Sequence, residues 1–301
     1  YGYLHGQIDQ YTHIYKNGDR SWHRNEEFIE EDGHATDLIA GETISEIKNA
    51  DRSKPFFIYV GFSVPHYPLQ EEDRWAGPYE GRIANESRRL FAASMTHMDD
   101  AIGRILSCLE EERLSSETLV IFISDNGGQE DWTPRDNQYE GRHGPNDRLG
   151  DNRPLRDWKG SLYEGGIRVP AVFYQPGKLE PRKVSSQAHA MDIMPTLAAL
   201  CGTRIPAGAT IEGTDIWPAV CGKPVEKERT FYWNTGSQRA VRTGDWKLIR
   251  NDISADEGRF ELYNIAEDPQ EKNDLAAGKP AVMTRMKEIL AGQSAMDRIP
   301  E

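Results

Sequence analysis

An α/β fold is what this sequence predicts: a mixed, largely parallel central sheet flanked by helices, then a small antiparallel sheet with one helix. Three observations predict it. Two apolar runs of strand length, residues 56–62 and 119–124, flank a helix-patterned stretch. Unbroken apolarity suits strands buried on both faces of a parallel sheet, and strand–helix–strand is a crossover unit of fixed hand. From about Arg229 the pattern changes to short strands with tight turns. The chain has 301 residues, 37% of them apolar, enough for one large core and one small one. The boundary is expected at 228/229, with residues 1–228 the α/β body and 229–301 the small domain.

The elements follow in order. Residues 1–35 are rich in His, Tyr, Asp and Gly, lack periodicity and read as a long ordered loop. Thr36-Asp37 resembles a helix N-cap, followed by Leu38, Ile39, Ile44 and Ile47 at helical spacing. The 56–62 strand ends at Ser63-Val-Pro-His66-Tyr-Pro68. A helix is expected from Glu86 to Glu111, its apolar face marked by Phe91, Met95, Met98, Ile102, Ile105 and Leu109. The 119–124 strand runs into Asp125-Asn-Gly-Gly128, and residues 129–152 form an unusually long polar loop. Residues 171–174 are a short strand, and Asp192 caps a helix with Pro195 in its first turn. Strands are expected at 230–233, 238–242, 246–249 and 260–263, with a hairpin turn at Thr243-Gly-Asp245 and a last helix over 281–290.

The net charge of −13 and pI near 5.2 argue against a nucleic-acid binder, although a local basic pocket can still take an anion. Cys108, Cys201 and Cys221 lack metal-ligand spacing; Cys108 reads as a helix core residue, and Cys201 and Cys221 are either free and buried or paired with each other. No stretch approaches the roughly 20 apolar residues of a membrane span. Oligomeric state is not legible.

Three stretches carry the chemistry. Asp125 and Asn126 are either a plain Asx/Gly turn or two hard oxygen ligands, suited to Ca²⁺ or Mg²⁺ with further carboxylates from elsewhere. His66, held between prolines, is a satisfied loop histidine, a general acid or a hydrogen-bond partner for an anion. Arg153, Arg156, Lys159 and Arg168 with Gly160, Gly165 and Gly166 are a solvated basic loop or a sulfate- or phosphate-binding one. In parallel sheets ligands sit beyond the carboxyl ends of strands, so His66 and Asp125-Asn126 are expected on one rim. In the long loop Trp132 is a candidate to stack on a sugar, and Arg135, Arg142, His143 and Arg148 to pair with anionic groups. His5, Trp22, His23, Gln238 and Arg239 are weaker candidates.

Several long motifs in fixed order resemble the sulfatases of the alkaline-phosphatase superfamily, in particular the arylsulfatase B-like, glycan-acting branch. They are Ser63-Val-Pro-His66-Tyr-Pro-Leu69, Ser124-Asp-Asn-Gly-Gly128, the run from Pro154 to Pro170, Met191-Asp-Ile-Met-Pro-Thr-Leu197, the run from Arg239 to Leu248, and Asp268-Pro-Gln-Glu-Lys-Asn-Asp-Leu275. The resemblance implies hydrolysis of a sulfated carbohydrate or other sulfate ester by a formylglycine hydrate, with Ca²⁺ holding the sulfate and Mg²⁺ as the alternative ion. It implies Asp125 and Asn126 as metal ligands, and His66 and Lys159 as groups on the sulfate, with His66 protonating the leaving alcohol. It also implies a secreted, periplasmic or lysosomal setting. The formylglycine motif, Cys/Ser-x-Pro/Ala-x-Arg, is not in this sequence, so the chain is expected to be a C-terminal part of such an enzyme, inactive alone. A phosphomonoester, phosphodiester or phosphonate hydrolase of the same superfamily, or a non-catalytic glycan-binding relative, are the alternatives.

Overall fold

A computed structural model describes residues 1–135, 137–223, 228–252 and 258–297. The chain forms two compact units: one of Tyr1–Thr118 with Gly127–Asn152, the other of Leu119–Asn126 with Arg153–Glu301. The division differs from the expected cut at 228/229. Within the second unit the C-terminal sheet shares a core with Leu162, Tyr163 and Ile167.

In the first unit the opening loop is pinned by a small antiparallel sheet, β1 (Gly2–Tyr3), β2 (Trp22–Arg24) and β3 (Glu27–Phe28). Helix α1 spans Ala35–Asn49, and its cap is His34, not Thr36 or Asp37: the ring Nδ1 accepts the Thr36 N–H at 3.2 Å. A short α2 (Asp73–Ala76) precedes α3 (Glu86–Glu111), whose bounds are those the periodicity predicts. Asn85 caps α3 by accepting the Arg88 N–H at 2.8 Å.

The run 56–62 is extended but joins no ladder among the described residues, which corrects the expected strand and its parallel pairing. Its side chains alternate. Val60 and Phe62 pack on the Ile8–Trp22–Ala35–Ile39 core, while Phe57 and Tyr59 are 77% and 86% exposed. Apolarity on both faces was legible; burial of both was not, because that depends on neighbours on each side.

In the second unit β4 (Val120–Ile123) pairs with β5 (Ala171–Tyr174), antiparallel, with Val120 opposite Tyr174 and Ile123 opposite Ala171. Short α4 (Glu164–Ile167) leads into β5; α5 (Ile193–Leu200) and α6 (Trp217–Val220) follow it. Asp192 lies at the start of α5, clamped by Arg229.

The C-terminal meander is as expected: β6 (Thr230–Asn234), β7 (Gln238–Thr243), β8 (Trp246–Asn251) and β9 (Arg259–Asn264) pair antiparallel in sequence order, and α7 (Pro280–Ser294) closes it. Gly244-Asp245 makes the two-residue turn between β7 and β8, with Gly244 at φ +57°. Period-two alternation sends the two faces to different cores. Val241, Leu248 and Leu262 meet Met286 and Leu290 of α7, whereas Ala240, Ile249 and Tyr263 meet Leu162, Tyr163 and Ile265. Leu248 is fully buried. We expect Leu248→Ala to cost about 2–5 kcal/mol, read as a lower urea midpoint; a loss under about 0.5 kcal/mol would contradict this packing.

Candidate active site

Strand β4 delivers the first pair of residues. Ser124 continues the ladder by donating its N–H to Pro170 O at 3.3 Å. Its hydroxyl then donates to Asn126 O at 3.0 Å, and Asp125 Oδ1 accepts the Asn126 N–H at 2.8 Å. The chain therefore turns sharply with the Asp125 side chain exposed and Asn126 half-buried. Two glycines follow, and Gly128 belongs to a close backbone approach of its own. A Cβ there would meet Gly150 Cα at 3.2 Å and Asn152 Oδ1 at 3.0 Å, and Asn152 bridges the Gly128 N–H and carbonyl at 2.8 Å each.

His66 belongs to the first unit and is half-buried. Its Nδ1–H donates to Tyr67 O at 2.8 Å and its ring packs on Tyr67 at 4.2 Å. Because that partner is a carbonyl, Nδ1 carries a proton in either charge state. The His66 N–H donates to Ser63 O, and Ser63 Oγ donates to Gln10 Oε1 at 2.7 Å.

Lys159 belongs to the second unit with Asp125 and Asn126. Of the basic run around it, Arg156 and Arg168 are used within the fold: Arg156 donates to Tyr263 Oη and Glu271 O, and Arg168 lies 3.7 Å from Glu164. The half-buried Lys159 ammonium has no hydrogen-bond or ion-pair partner among the described residues.

The proposed sugar-binding residues separate by what holds them. Trp132 is 6% exposed, with its ring stacked 4.3 Å from Tyr67 and edge-on to Tyr139. That corrects its reading as a sugar platform: an aromatic in a long polar loop here anchors the loop. His143 Nε2 is 2.9 Å from Asp9 Oδ2, and Arg142 lies 3.9 Å from the same carboxylate. Arg239 pairs with Asp297 at 3.1 Å. His5 stacks on Tyr15, Trp22 is buried, and the Gln238 amide bonds Leu162 and Asn251. Arg135 and Arg148 are exposed, and their guanidinium groups have no partner among the described residues.

A cluster that sequence reasoning missed lies under α1. His97 Nδ1 is 2.8 Å from Glu71 and its Nε2 3.3 Å from Asp37, while His34 Nε2 is 3.7 Å from Glu71. It has the residue types of a metal site, but His34 leaves no ligand atom. Its Nδ1 accepts the Thr36 N–H, and Nε2–H donates to Gln70 O at 3.0 Å. The carboxylates instead favour a charged imidazole at His97. Burial disfavours a charge on His97, yet the Glu71 and Asp37 carboxylates outweigh it and raise its pKa, while burial lowers that of His34. A raised folded pKa contributes stability below the unfolded pKa, near 6.5, that is lost as pH rises through the folded value. The destabilisation of His97→Gln should therefore be largest below pH ~6 and shrink as pH rises through the raised folded value; chemical denaturation across pH 5–9 checks it, and a pH-independent difference would contradict it.

The sequence profile of the Sulfatase family matches residues 2–203. The chain belongs to the sulfatase family. A second profile, the C-terminal region of N-sulphoglucosamine sulphohydrolase, matches residues 157–295 of this sulfatase chain. Arylsulfatase A of Homo sapiens is 29% identical over 287 residues, covering 86% of the chain and 52% of the relative. N-acetylgalactosamine-6-O-sulfatase of Bacteroides thetaiotaomicron is 28% identical over 274 residues, covering 86% and 51%. The crystal structure of Ps i-CgsB in complex with k-i-k-neocarrahexaose superposes with a TM-score of 0.82 at 26% identity, covering 97% of this chain and 65% of that one. The expected fold class is thus that of the family: mixed α/β with a C-terminal antiparallel sheet. The chain spans about half the length of the curated relatives it matches.

Proposed function

We propose that the protein carrying this chain is a sulfuric ester hydrolase acting on a sulfated carbohydrate, and that Lys159 and His66 are its working groups here. The carrying observation is Lys159. In a basic run whose arginines at 156 and 168 are used internally, its ammonium has no hydrogen-bond or ion-pair partner among the described residues. It sits beside glycines in a family of sulfate-releasing enzymes. A compact cation suits a tetrahedral oxyanion. His66 Nε2 donates its proton to the ester oxygen as the sulfur–oxygen bond breaks, and the Nδ1–H bond to Tyr67 O keeps the ring oriented.

Asp125 and Asn126 fit a Ca²⁺ ion in donor type, hard oxygens on an exposed turn. Two donors are short of the six to eight such an ion takes, so they would hold one side of it. When bound, that ion would neutralise charge on the sulfate. The formylglycine motif is absent from this sequence, and we assign the nucleophile to polypeptide outside it. The names of two relatives, an N-acetylgalactosamine-6-O-sulfatase and a structure holding a neocarrahexaose, support a sugar substrate. Arg135 and Arg148, exposed in the long loop, are then our candidates to pair with further anionic groups. The test is inorganic sulfate released by the full-length protein from a panel of sulfated sugars. Release of phosphate from matched phosphate esters without release of sulfate overturns the reading.

A further inference from the structure

The C-terminal sheet buries a cation that the proposed reaction leaves unexplained. Lys247, inside β8, is fully buried, with Nζ 2.9 Å from Glu164 Oε1 and 2.8 Å from Glu271 Oε1. Both carboxylates are buried too. Glu271 Oε2 also accepts the Glu164 backbone N–H at 2.6 Å. Arg242 lies on the outer side of Glu164, at 3.6 Å. Lys247 occupies the same face as Ile249, where an apolar residue would fill the space without desolvating three charges. Stability alone does not call for such a cluster, so what it holds in place becomes the question.

It holds the turn against which the Lys159 loop is moulded. Glu164 opens α4, and Gly165 and Gly166 follow. A Cβ on Gly165 would stand 2.2 Å from Asp157 O and 2.3 Å from Arg156 O; on Gly166, 2.2 Å from Ser161 O and 2.6 Å from Trp158 O. The carbonyls of Arg156, Asp157, Trp158 and Ser161 thus rest directly on the two glycines, and the Gly165 N–H donates to Arg156 O at 2.7 Å. Lys159 is in the middle of that loop. Its near end is tied by Arg156, which donates to Tyr263 Oη at 2.8 Å and Glu271 O at 3.0 Å and lies 3.8 Å over the Tyr163 ring. Glu271 therefore acts twice, through its carboxylate on Glu164 and Lys247 and through its carbonyl on Arg156.

We infer that the buried Lys247–Glu164–Glu271 cluster is the positioning unit for Lys159, fixing the ammonium through the Gly165-Gly166 turn and Arg156. The inference rests on the assignment of Lys159 to the sulfate. None of the three side chains is placed on substrate; they act through the loop.

Two readouts on the full-length protein test it. The variants are Lys247→Met and, because that change strands two buried carboxylates, the neutral triple Glu164→Gln/Lys247→Met/Glu271→Gln. Hydrogen exchange should be about ten-fold or more faster at the amides of Ser161 and Gly165, with β6–β9 still protected. In a kinetic cycle, Lys247→Met should lower kcat/KM for a sulfated sugar by about 10–100-fold, as a misplaced group does. Added to Lys159→Ala, it should cost less than about two-fold more, because the group it positions is gone. Equal losses in both backgrounds, unchanged exchange at Ser161 and Gly165, or failure of both variants to fold would each assign the cluster to stability and overturn the inference. Wild-type turnover by Lys159→Ala would instead remove the sulfate role of Lys159, and the exchange data would still decide whether the cluster orders its loop.

Discussion

Lys159→Ala is expected to lower kcat/KM for a sulfated sugar by about 10²–10³-fold, the effect of removing one preorganised donor from an oxyanion. The fold should not suffer. Lys159 is half-buried and makes no ion pair or hydrogen bond among the described residues, so its removal strands no partner. Stability should stay within about 0.5 kcal/mol of wild type. Lys159→Arg should not restore activity, because a planar fork cannot reproduce a point charge at the same place. Steady-state kinetics with thermal unfolding separates the cases. Loss of activity with an equal loss of folded protein would reduce Lys159 to a structural residue.

His66→Ala is the second large effect, about 10²–10⁴-fold on a sugar sulfate. Its Nδ1–H is committed to Tyr67 O, so the proposed proton donor is Nε2. An acid acts at the leaving group, so the loss should fall mainly on kcat. His66→Gln keeps a donor but cannot release a proton, and should be nearly as slow as the alanine variant. Restoration of turnover by His66→Gln would mean that His66 binds the sulfate rather than protonating the alcohol.

Legibility followed how local the cause was. Helix α3, the meander β6–β9 and the Gly244-Asp245 turn depend on periodicity and on residues a few places apart. The 56–62 run failed because a strand needs a neighbour, and no residue within the run says whether one is there. The His34 cap was missed because a histidine in Gly-His-Ala-Thr looks less like a cap than the Thr and Asp after it. At the candidate site, Asp125, Asn126, His66 and Lys159 stood out by residue type beside prolines and glycines. Trp132 misled because burial of an aromatic in a polar loop depends on a partner, Tyr67, 65 positions away. One signal for the Lys247 cluster was available: a lysine among Trp246, Leu248 and Ile249, on the inward parity of a strand.

In the proposed reaction His66 supplies the proton to the departing alcohol of a sulfate ester. The measurement that tests it most directly is kcat/KM of wild type and His66→Ala across a series of sulfate esters of rising leaving-group pKa, from nitrophenol to a sugar hydroxyl. Proton donation by His66 should give a shallow dependence for wild type and a steep one for the variant, with the two nearly equal on the nitrophenyl ester and furthest apart on the sugar. Parallel lines, with the same fold-loss on every ester, would contradict it.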